Sequence, residues 1–132
     1  MIEEELKEKL LSDLSQINLP VDEVNLSLRP YSRTYYGRYF PVINEKRTTP
    51  KIYIYPYEDD KGKLLSYEQI LKTAIHEFCH HIQYFSGTYV RKRGVMHDPQ
   101  FWKLYLHYTC RAEKYKLFGG EMHNESANQK QI

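Results

Sequence analysis

Residues 67 to 85 constrain the fold of this chain more than any other stretch. Read at a helical repeat, Leu71, Ile75, Phe78 and Ile82 gather on one side, while His76 and His80 fall on the roughly opposite side, one turn apart. A helix with one apolar stripe has to bury it, so the remaining elements must form a layer beneath that stripe and leave the histidine face accessible. Ser66 and Gln69 have the spacing of a capping box ahead of this helix, and Gly87 is its expected stop.

The preceding sequence supplies that layer. Ile2, Leu6, Leu10, Leu14 and Ile17 recur at helical spacing among acidic residues, which predicts an amphipathic first helix ending before Pro20. Val24, Leu26 and Leu28 then alternate with polar residues as a half-buried strand closed by Pro30. A second strand is expected from Thr34 to Ile43, with Gly37 as a bulge and Pro41 marking an edge, and a third from Lys51 to Tyr55. The three strands are expected to pair antiparallel.

After the histidine helix, Asp98 as N-cap and Pro99 at the first helical position open a further helix, with Phe101, Leu104, Tyr105, Tyr108 and Ala112 along one side. The Gly119-Gly120 pair is its expected end. The predicted architecture is therefore α+β: an N-terminal helix, a small three-stranded sheet, the histidine helix and a following helix. At 132 residues and 41% apolar content there is room for one core. The domain is placed at 1–118, and the polar segment 119–132 is expected to be a loosely ordered tail.

Nineteen basic and seventeen acidic side chains leave a formal charge of +2, too little for a whole-chain field that favours nucleic acid or an anionic membrane. No apolar run is long enough to span a bilayer, and the N-terminus does not read as a signal peptide. Cys79 and Cys110 both fall in predicted helices and are expected to be buried, reduced thiols, consistent with an intracellular protein.

The segment His76-Glu77-Phe78-Cys79-His80 carries the chemistry. Two imidazoles four residues apart on a helix can share one tetrahedral zinc ion. Glu77, rotated by about 100° from His76, is angled away from direct ligation but close enough to take a proton from a water activated by the metal. A catalytic zinc needs a third protein ligand. His97, next to the N-cap of the following helix, is the favoured candidate, and Glu113 farther along that helix is the alternative. His81 points away from His80 and is expected to be a supporting or surface residue; His107, mid-helix, reads as structural.

Together, His76-Glu77-Phe78-Cys79-His80 and His97-Asp98-Pro99-Gln100-Phe101-Trp102 resemble the SprT-like (Spartan-type) zinc metallopeptidases and the neighbouring YgjP-type hydrolases. The resemblance implies a minimal zincin-like metalloendopeptidase with one catalytic zinc on His76, His80 and His97. It also implies that Glu77 is the acid/base and that Phe101 and Trp102 are core residues seating His97. The zinc ribbon or DNA-binding appendage of many members has no counterpart here, and Asp98 replaces the commonest glycine.

Such an enzyme would take a protein or peptide substrate, docked in extended form along the strand Tyr35 to Ile43, with Tyr36 and Arg38 as candidate contacts. A second reading is a nucleic-acid-associated zinc protein without peptidase activity. In that reading Arg91, Lys92 and Arg93 would meet DNA phosphates while Tyr84 and Tyr89 stack on bases. In a third the zinc only staples the fold, a role that has no use for Glu77.

Overall fold

The structure is a computed structural model, which describes residues 2–41, 49–86 and 97–119. It is an α+β fold of three helices and one three-stranded sheet. Helix α1 spans Glu3–Gln16 and buries Leu6, Leu10 and Leu14. Its acidic first turn, Glu3, Glu4 and Glu5, complements the positive end of the helix dipole. A left-handed Asn18 then turns the chain, with Leu19 N donating to the Leu14 carbonyl.

The strands are β1 (Asn25–Leu28), β2 (Gly37–Phe40) and β3 (Lys51–Ile54), in the order β1-β3-β2. The sheet is mixed, which corrects the antiparallel expectation: β3 is antiparallel to β2 but parallel to β1. Residues 29–36 carry the chain from β1 to the far edge, and β3 then returns between the two earlier strands. Strand β2 is also shorter than expected, because Thr34 to Tyr36 precede it as a bend. Gly37 forms no bulge, since the register runs unbroken from Gly37↔Ile54 to Phe40↔Lys51.

Helix α2 (Tyr67–Ser86) starts at the expected capping box. Ser66 Oγ accepts from Gln69 N at 3.2 Å, and Gln69 Oε1 accepts from Ser66 N at 3.4 Å. Leu71, Ile75 and Phe78 are fully buried against Leu10, Leu14, Ile52 and Ile54 in a single core. The Tyr67 hydroxyl, donating to Asp13 at 2.6 Å, ties α2 to α1.

Helix α3 (Pro99–Lys114) lies across α2, burying Phe101 and Ala112. It ends before Gly119, in a turn that includes the left-handed Lys116. Cys79 is buried as expected, but Cys110 is exposed on α3. No helix among the described residues is long and apolar enough to cross a membrane. The expected stop at Gly87, the basic run at Arg91, Lys92 and Arg93, Tyr89, and the tail beyond Gly119 lie outside the described residues.

Candidate metal centre

One turn of α2 separates His76 from His80, whose ring centroids are 5.0 Å apart. His97 reaches them because the entrance of α3 is pinned to α2. Asp98 Oδ1 accepts from Phe101 N at 2.9 Å, closing the N-cap, and from Gln83 Nε2 at 3.1 Å. Beneath the three imidazoles lies Phe101, fully buried, with its centroid 4.9, 4.7 and 4.7 Å from those of His76, His80 and His97. Phe101 thus seats the cluster as expected. Trp102 does not belong to the core: it is 46% exposed, because one residue along α3 turns it toward solvent. Its indole still flanks His97 at 5.5 Å.

One nitrogen from each of His76, His80 and His97 lies within 4.8 Å of the others, close enough to hold a metal ion. His76 Nε2 and His97 Nε2 are 3.1 Å apart. Two nitrogens bound tetrahedrally at ordinary metal–nitrogen lengths stand about 3.3 Å apart. The protonation states fit as well. Burial, reinforced by the charges of His80 and His97, lowers His76 to about 3, and burial with His97 lowers His80 to about 4. His97 is lowered too, by burial. All three are held as neutral imidazoles with a lone pair to give. Glu113 is exposed near the end of α3 and outside this cluster, so the alternative third ligand falls away.

Glu77 is 7% exposed, and burial raises its carboxyl to about 8 against the opposing pull of Arg38. Its position depends on Gly37. A Cβ at residue 37 would stand 2.7 Å from Thr73 Cγ2 and 3.1 Å from Glu77 Oε2. Strand β2 therefore crosses α2 at a distance only glycine allows, and that contact walls in the carboxyl. An open cleft of about 550 Å³ results, lined by Gly37, Arg38, Tyr39 and Tyr84 together with the three histidines and Glu77. Arg38, a candidate substrate contact, is thus among the residues lining the cleft. Tyr36 is not among its lining residues; its carbonyl instead accepts from Tyr55 N at 2.8 Å, extending the strand pairing.

His81 is neither a surface residue nor part of the cluster. It is 2% exposed, with Nδ1 2.8 Å from the Tyr39 hydroxyl and Nε2 2.8 Å from Glu23 Oε1. Glu23 can only accept, so the tautomer protonated on Nε2 satisfies both contacts, with Tyr39 donating to Nδ1. This chain fixes β2 to α2 one residue beyond Arg38. Burial, Tyr84 and Glu23 together keep the Tyr39 phenol well above its ordinary range. Period-two alternation could have signalled it, since Gly37 and Tyr39 share the face opposite Arg38 and Phe40. Burial first, and then Glu77, push the Cys79 thiol up to about 12, which leaves it inert.

No model of a known protein family matches the chain and no curated protein is similar to it, so the arrangement of these side chains is what bears on function.

Proposed function

We propose that the chain is a zinc-dependent metallopeptidase of the SprT-like kind, with His76, His80 and His97 holding the ion and Glu77 acting as general base. The observation that carries this reading is the meeting of three neutral imidazoles beside a buried carboxyl in an open cleft. A donor set of three imidazoles suits zinc, and three protein ligands rather than four is the pattern of catalytic sites. Zinc, when bound, supplies Lewis acidity for a water and for the substrate carbonyl.

The chain's own residues do the rest. With a divalent ion held by the imidazoles, Glu77 would return toward its ionised form and could accept the proton of the attacking water. Glu77 would then pass that proton to the amine nitrogen as the C–N bond breaks, which regenerates the carboxylate. Strand β2 is an edge strand among the described residues, pairing only with β3. It borders the cleft through Gly37, Arg38 and Tyr39, which favours an extended peptide paired along it.

Glu77→Gln tests this. The variant is expected to keep its zinc and to cleave a denatured protein at least about 100-fold more slowly than the wild type. Cleavage at the wild-type rate would overturn the proposal.

A further inference from the structure

The second face of the sheet has a composition of its own. The pairing register places Leu26, Ile52, Ile54, Gly37 and Tyr39 on the side of α2, and Ser27, Arg38, Phe40, Lys51 and Tyr53 on the other. Rings and cations interleave on that outer side. Phe40 and Tyr53 meet edge-to-face at 5.0 Å, and Tyr53 and Tyr55 at 6.4 Å. The Arg29 guanidinium lies 4.7 Å from the Tyr53 ring, and that of Arg38 lies 4.7 Å from Phe40 and 4.4 Å from Tyr35.

The charge is also segregated. Residues 24–41 and 49–57 contain Arg29, Arg33, Arg38 and Lys51 and not one aspartate or glutamate, in a chain with seventeen acidic residues. Among the described residues no ion pair involves Arg29, Arg38 or Lys51. The near-neutral whole-chain charge therefore conceals a positive sheet face.

We propose that this face binds single-stranded nucleic acid, with bases stacking on Tyr55 and on the guanidiniums that Phe40 and Tyr53 back, and phosphates running past Arg29, Arg38 and Lys51. Unpaired bases offer the flat faces that such rings recognise, whereas a duplex hides them. A guanidinium lying on a ring keeps its outer plane and its N–H edge free, so Arg29 and Arg38 can stack and bind phosphate together. An acidic peptide would complement the cations and make no use of the rings. Arg38 and Tyr35 also line the cleft, so a strand held here ends beside the histidine cluster. The inference does not depend on peptidase activity.

Fluorescence anisotropy with a labelled single-stranded oligonucleotide of about 12 nucleotides, as DNA and as RNA, tests the proposal on the full chain. The expected result is binding to at least one of the two, weakening steeply with salt. The salt slope should fall by about 0.7 for each of Arg29→Gln and Lys51→Gln. Tyr53→Leu should weaken binding at least about 5-fold, with the circular dichroism spectrum unchanged. The corresponding duplex should bind at least about 10-fold more weakly than the single strand. Three results would each overturn the proposal: no binding at low salt, equal binding to duplex or to polyglutamate, or binding lost on neutralising Arg91, Lys92 and Arg93 yet unchanged by the three sheet-face variants.

Discussion

Glu77 faces two opposing demands. Burial against Gly37 and Thr73 favours its neutral acid, whereas a role as base requires the anion. In the metal-free protein the first demand prevails. Its folded value of about 8 stands above the ordinary 4.5, so between those limits the folded state keeps a proton that the unfolded chain has released. Metal-free stability therefore falls as pH rises through that window. His76 and His80 act in the opposite sense. Lowered from 6.5 to about 3 and about 4, they remove stability as pH falls below about 6.5, where the unfolded chain binds protons that the folded state refuses. Glu77→Gln removes only the alkaline loss. In thermal melts with a chelator present, the variant should match the wild type near pH 4 and be more stable by roughly 3–5 kcal/mol near pH 9. Equal melting temperatures at both pH values would show that the carboxyl is not penalised by burial.

Among the elements, β2 and α2 matter most, because their close approach shapes the site. Gly37→Ala must push a methyl into Thr73 and Glu77, and β2 can yield only by separating from the helix or by moving the carboxyl. The substitution should destabilise the fold by about 1–3 kcal/mol and reduce cleavage in the folded fraction, read as kcat at a temperature well below the melt. A stable, fully active Gly37→Ala protein would show that the approach has slack. This contact was not legible in the sequence. Gly37 read as a bulge because a glycine within a strand signals either a bulge or a close backbone approach, and only the partner across the sheet distinguishes them. The two helices of the site were legible because their signals are local. Ser66 with Gln69, and Asp98 with Pro99, fix each start within one turn. His97 could be placed from the sequence for the same reason, since it is tied to a cap.

At the scale of the whole molecule, alternation at Leu26, Ile52 and Ile54 identified which residues face the core, and so the α+β class, without giving the order of the strands. Strand direction depends on which neighbour a strand meets across the sheet, a non-local matter that alternation within each strand does not encode. Total charge misled similarly, because +2 for the chain averages the acidic α1 over an acid-free sheet. The apolar sides of α1 and α2 close one core with the sheet, while among the described residues the histidine side of α2 meets the entrance of α3 and borders the cleft with β2. We propose that this junction holds one zinc ion through three imidazoles and no other protein group. X-ray absorption at the zinc edge on the purified chain tests it most directly. The expected result is about one zinc per chain, with three imidazole nitrogens and one further light atom at about 2.0–2.1 Å. A sulfur ligand near 2.3 Å, a fourth imidazole, or the same spectrum from His97→Ala protein would contradict it.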